Sequence, residues 1–215
     1  MIEVQINKLK GRVVSFSYHV ENMVNTSIKG LLVQDKKLLN EVIDVLEKEA
    51  NKFDTTIERE CIASIAQFSP KASNLRLLLM ILKMNKDIER MADHCVNISH
   101  NAKDILQKGF TKQKFYDLIN EMSNEVKKML KNSIESFINE NTDLAKSVCK
   151  SDEKVNKFKT DLTKFFIEKM KKNPDLVECS INFIEIVNNL ERIADLSTNI
   201  SEDVVFIFQG KVIKH

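Results

Sequence analysis

Along almost the whole chain, apolar residues recur at alternating spacings of three and four, the period of one face of an α-helix. Ile6, Leu9, Val13, Phe16, Val20 and Met23 form the first stripe, and Gly30 with the polar Gln34, Asp35, Lys36 and Lys37 predicts a turn after it. A second stripe runs through Leu39, Val42, Leu46, Phe53, Ile57, Cys61 and Phe68 and stops at Ser69-Pro70. That proline is expected at the start of the next helix, where its missing N–H costs nothing. The third helix is predicted from about Lys71 to Gln107, closing at Lys108-Gly109. The order then repeats. A helix is expected over roughly 113–139, and the polar break from Asn139 to Asp143 supplies a turn and an N-cap. The next carries Val155, Phe158, Leu162 and Phe165 and ends near Lys172-Asn173-Pro174, and the last runs from about Asp175 to Gln209.

The halves also match residue by residue. Glu-Arg-Met-Ala-Asp-His-Cys-Val-Asn-Ile-Ser at 89–99 and Glu-Arg-Ile-Ala-Asp-Leu-Ser-Thr-Asn-Ile-Ser at 191–201 agree at seven of eleven positions, at an offset of 102. Duplication of a three-helix unit explains this economically. The expected fold is all-α: two tandem, sequence-related three-helix bundles of six long antiparallel helices, with domains 1–109 and 110–215.

Composition narrows the picture further. Four glycines and two prolines in 215 residues fall far below the usual roughly 7% and 5%, which leaves too few turn formers for a multi-strand fold. Thirty-three basic against 31 acidic residues, net +2, lack the lopsided basic balance of a nucleic-acid binder. The first residues show no basic-then-apolar secretory signal, and the apolar run Leu77–Leu82 falls far short of the ~18–20 residues of a membrane span. A cytoplasmic location is expected. Cysteines at 61, 95, 149 and 179 form no Cys-x-x-Cys, so four isolated reduced thiols are expected.

The repeated stretch carries the chemistry. Glu89 and Asp93, like Glu191 and Asp195, are four apart, which puts two carboxylates on one helix face a turn apart. They lie about 20° either side of the lines through Leu82 and Ile184, along an apolar row as readily as toward open solvent. Like charges at this spacing repel, Arg90 and Arg192 do not lie between them, and a hard cation with oxygen ligands would compensate. Asn97 and Asn199, one turn on, add neutral oxygens. Without a metal, the same pairs read as a solvated charged face or one side of an interhelical salt bridge. Asp152 with Asn156, and Glu47 with Asn51, offer a second row on the middle helices, although Glu47 precedes Pro70 by 23 residues and Asp152 precedes Pro174 by 22. None of the four histidines has a glutamate three residues before it, so the Glu-x-x-His pair of di-iron bundles is missing. His94 reads as a peripheral ligand or as a partly buried surface histidine. No Gly-rich phosphate loop, Gly-x-Ser-x-Gly or Cys-His signature is present.

These residues resemble the PhoU family of phosphate-transport regulators. Pro70 to Arg76 is similar to the family's Pro-x-x-x-x-Leu-Arg lead into the third helix. Glu89 to His94 with Asn97-Ile98, and Glu191 to Asp195 with Thr198-Asn199-Ile200 and Glu202, are similar to its Glu-Arg-x-Gly-Asp-His…Asn-Ile motif. Asp152 to Asn156 resembles its acidic middle-helix motif. Ala92 and Ala194 stand where the family has glycine, and Leu196 where it has histidine. The resemblance implies a cytoplasmic, non-enzymatic negative regulator acting between the ATPase subunit of the phosphate ABC transporter and the phosphate-responsive sensor histidine kinase. It implies restraint of uptake and of the phosphate-starvation response, membrane association only through partners, and room for a homodimer. It also implies divalent or trivalent metal ions on the carboxylates, iron or zinc, magnesium, manganese or nickel in its place, in multinuclear clusters. The rival readings are a carboxylate-bridged two-metal enzyme and a helical adaptor unrelated to phosphate.

Overall fold

The computed structural model describes residues 2–110 and 113–209, apart from the side chain of residue 113. The helices are α1 (Ile2–Leu32), α2 (36–68), α3 (Ala72–Gln107), α4 (Gln113–Ile138), α5 (Thr142–Lys172) and α6 (Val177–Gln209, after a 3₁₀ turn Pro174–Leu176). Among the described residues there is no strand. The stripe of α1 is buried throughout, with Leu9, Val13, Phe16, Val20 and Met23 fully enclosed. Asn141 caps α5 by accepting from the N–H groups of Asp143 and Leu144. Gly109 follows α3 in the left-handed conformation, φ +64°. The cysteines are free and buried.

Two local expectations need correction. Gly30 does not turn the chain: α1 continues through it to Leu32. Its missing side chain makes room for Leu39, since a Cβ there would stand 2.7 Å from Leu39 Cδ2 and 2.9 Å from Cγ. Pro70 does not begin α3. Ser69 turns the chain with φ +42°, Lys71 is extended, and the helix starts only at Ala72. The last helix begins in a 3₁₀ turn, with Pro174 at its first position and Asn173 accepting from Asp175 N–H. The sequence also gave no sign that α2 contains a π turn at Val42–Leu46, where Glu47 N–H bonds the Val42 carbonyl. His19 of α1 donates from Nε2 to the Leu46 carbonyl at 2.8 Å and packs on Phe53.

Each half is a three-helix bundle, α1–α2–α3 and α4–α5–α6, and the two lie side by side on one continuous core. The third helices pack against each other, and α1 packs on α4. Contacts of Lys83 with Asp203, His94 with Asn189 and Lys108 with Glu178 show that α3 and α6 run antiparallel. The halves are thus related by a pseudo-two-fold axis normal to the plane of α3 and α6. Residues related by the 102-residue offset therefore face the same side of the molecule, the side that carries both carboxylate motifs.

Candidate metal-binding grooves

In the second half, α5 and α6 enclose an open groove of about 620 Å³, lined by Asp152, Glu153 and Asn156 from α5 and Asp195, Asn199 and Glu202 from α6, with Cys149 and Thr198 at its floor. Helical spacing does this locally: Asp195, Asn199 and Glu202 fall at i, i+4 and i+7 on one stripe of α6, facing Asp152 and Asn156, at i and i+4 on α5. Asn156 donates to Asp152 Oδ2 at 2.7 Å. Burial, then the charges of Glu191 and Asp152, raise the Asp195 carboxyl above its ordinary pKa. Burial also pushes the Cys149 thiol to about 11, so it stays protonated.

Glu191 lies apart from this groove. It is 8% exposed, and Lys159 of α5 reaches its Oε1 at 2.7 Å. Arg192 stands 3.3 Å from Asp195 Oδ2. The compensation expected from a cation is thus partly supplied by the protein's own lysine and arginine, because the arginine side chain is long enough to bend back along the helix surface.

The first half is built on the same plan with different partners. Glu89 is half-buried, while Asp93, Asn97 and Asn51 are exposed and Glu47 is intermediate. Burial, then the charges of Asp93 and Asp54, raise the pKa of Glu89, and burial raises that of Asp93. Asp54, which sequence reasoning missed, accepts from Asn85 Nδ2 at 2.7 Å and pairs with Lys86 at 3.0 Å, and Lys86 also reaches Glu58 at 3.3 Å. His94 turns to the seam between the halves, its Nδ1 2.8 Å from Asn189 Oδ1, away from the Asp93 row.

The donor set fits a hard cation in kind: it consists of carboxylate and amide oxygens, charge-crowded and accessible. It is not a preassembled cage, since no three His, Cys, Asp or Glu side chains converge on one point among the described residues. Glu153 and Glu202 join the groove beyond the ligands expected from sequence; the signal for Glu202 was its place seven residues after Asp195.

The PhoU domain model matches the chain twice, over residues 13–102 and 119–204, each stretch containing one copy of the carboxylate motif. The chain is 30% identical over 211 residues to an Aquifex aeolicus phosphate-specific transport system accessory protein PhoU homolog, covering 98% of this chain and 94% of that protein. Its Pseudomonas putida counterpart is 26% identical over 212 residues, covering 98% and 82%. The crystal structure of PhoU from Pseudomonas aeruginosa superposes with a TM-score of 0.93 at 25% identity, covering 98% of this chain and all of the other. That of the phosphate transport system regulatory protein PhoU from Streptococcus pneumoniae shares the fold, with a TM-score of 0.91 at 22% identity over the full length of both. The duplicated motif on the third helix of each bundle and these matches lead to one conclusion: the chain belongs to the PhoU domain family.

Proposed function

We propose that the protein is a regulator of phosphate transport that works by binding partners rather than by turnover, with hard metal ions held on its carboxylate grooves. The carrying observation is the α5–α6 groove, where oxygen donors from two helices line one open site on a rigid body. Asp152, Asn156, Asp195 and Asn199, with Glu202, would hold the ions in the second half. Glu89, Asp93 and Asn97, with Glu47 and Asn51, would do so in the first. Glu191, paired with Lys159, adds its charge beside Asp195. Bound ions, iron or another divalent metal, singly or in a cluster, would neutralise the crowded carboxylates and tie α5 to α6.

A body of this kind acts by favouring one state of a partner over another. The partners proposed are the ATPase subunit of the phosphate transporter, in its inactive state, and the sensor histidine kinase, in its non-phosphorylating state, both on the cytoplasmic side. The resemblance to phosphate-specific transport accessory proteins supports this reading, as does the absence, among the described residues, of any helix long and apolar enough to cross a membrane.

Two measurements test it. Protein purified without chelator should carry metal, and Asp152→Asn with Asp195→Asn should lower the content of the second half selectively. Unchanged metal content would sink the ligand assignment. Deleting the gene should raise phosphate uptake and starvation-gene expression in phosphate-replete medium, and unchanged uptake and expression would sink the regulatory reading.

A further inference from the structure

The third helices of the two halves correspond at an offset of 102 residues, and the middle helices at 105. Ala50, Ile57 and Cys61 are buried on α2 where Val155, Leu162 and Phe166 are buried on α5. In that register Glu47 and Asn51 match Asp152 and Asn156, so the acidic rows of the two grooves are in step. The residues around those rows are not.

At one end of the groove a lysine replaces a carboxylate. Asp54, whose charge acts on Glu89, corresponds to Lys159, whose ammonium bonds Glu191 at 2.7 Å. Arg192 stands 3.3 Å from Asp195, so each carboxylate of the second motif has a cation of the protein's own. The first motif has none. Lys86 pairs with Asp54 and Glu58, and His94 bonds Asn189. Arg90, the counterpart of Arg192, forms no ion pair among the described residues, and neither do Glu89 and Asp93.

At the other end the exchange runs the opposite way. Glu153, Thr198 and Glu202 of the second half stand where the first has Lys48, Val96 and His100. Thr198 is 7% exposed at the floor of the α5–α6 groove, and its Oγ1 has no hydrogen-bond partner. Among the described residues no basic side chain lines that groove. A hard cation held by oxygens would satisfy both the buried hydroxyl and the acids above it. In the first half the same place would repel a cation with Lys48, and Val96 offers it no oxygen.

We propose that the two grooves hold their metal ions at non-equivalent places. The first holds its ion on Glu89 and Asp93, with Asp54 beside them. In the second, Lys159 and Arg192 occupy the corresponding place, and the ion lies further along, on Asp152, Glu153 and Glu202 over Thr198. The shift amounts to about seven residues, roughly 10 Å at 1.5 Å per residue. The proposal rests on the reading of the grooves as metal sites and adds where each holds its ion. The repeated motif is then a metal site in one copy and an internal ion-pair cluster in the other.

The test uses the full chain, stripped with chelator and dialysed against Mn²⁺, with bound metal counted by mass spectrometry and the fold checked by far-UV CD. Equivalent substitutions should have opposite effects: Glu89→Gln should remove about half of the bound Mn²⁺, and Glu191→Gln none of it. Glu202→Gln should remove about the other half. Lys159→Asp, which gives the second half the acid that the first half has there, should bind more Mn²⁺ than wild type. Glu191→Gln leaves Lys159 without its partner, so Lys159→Met with Glu191→Gln repeats that measurement with no stray charge. The proposal is overturned if both Glu191 variants lose metal as Glu89→Gln does, if Glu89→Gln or Glu202→Gln keeps the wild-type content, or if Lys159→Asp gains none. Those outcomes leave the metal reading of the grooves standing, whereas a wild type that binds no Mn²⁺ overturns both.

Discussion

Asp87→Asn should make the protein more stable near neutral pH. Asp87 lies on α3 against α6, is 7% exposed, and its Oδ2 has no hydrogen-bond partner. Burial, then the charge of Asp203, push its pKa from 3.8 to about 6, with Lys83 and Arg90 pulling the other way. A folded pKa above the unfolded one means that the folded state holds the proton more tightly. The resulting stability is fully present below about pH 3.8, is lost as pH rises through about 6, and is gone at neutrality. Two pKa units at ~1.36 kcal/mol each set a ceiling of about 3 kcal/mol. Asparagine already stands at the equivalent position, Asn189, and carries no charge to desolvate. In chelator-treated protein the variant should gain about 1–3 kcal/mol at about pH 7.5, raising Tm by roughly 3–10 °C for a chain of this size. The gain should vanish by about pH 4. Urea and thermal unfolding of both proteins at the two pH values measure it, and taking the difference removes the common contribution of Glu89, Asp93 and Asp195, whose pKa values are also raised. A variant less stable at neutral pH, or a gain that does not shrink on acidification, would refute the reasoning.

Gly30→Val should destabilise by about 1–3 kcal/mol through its collision with the fully buried Leu39, read as a lower urea midpoint at unchanged slope. Asn141→Ala removes the side-chain cap of α5 and should cost about 1 kcal/mol in the same assay. Lys159→Met leaves Glu191 buried without its partner and should cost about 1–3 kcal/mol, of which Lys159→Met with Glu191→Gln should recover a large part; a double variant as unstable as the single would show that the pair does not act as a unit.

The six helices were legible because each buries a stripe of regular period, and the turn at Asn139–Asp143 because its residues make their own capping bonds. Gly30 misled because its role is tertiary: the small residue serves Leu39 on the next helix rather than the bend of its own backbone. The π turn at Val42–Leu46 was hidden because one extra residue inside an apolar stripe leaves the spacings of three and four intact. The carboxylate motif stood out through repetition alone. Its division of labour did not, since Lys159, Lys86 and Asn85 come to the acidic groups from distant places in the sequence or from the far side of the same helix. The seam acids Asp87 and Asp203 were invisible for the same reason.

The seam between α3 and α6 has the form of a homodimer interface whose two copies have been joined in one chain. In a pair of identical half-chains, symmetry would oblige every contact to occur twice, and any change would be felt twice over. Fusion lifts that obligation. His94 meets Asn189, and the symmetry mate of that contact sets Asp87 against position 196, where this chain has a buried leucine. One site of the pair holds a hydrogen bond and the other sets a carboxylate against an apolar side chain, which accounts for the Asp87 oxygen left without a partner. The two copies are free to differ, and the unpartnered carboxylate is one place where they do.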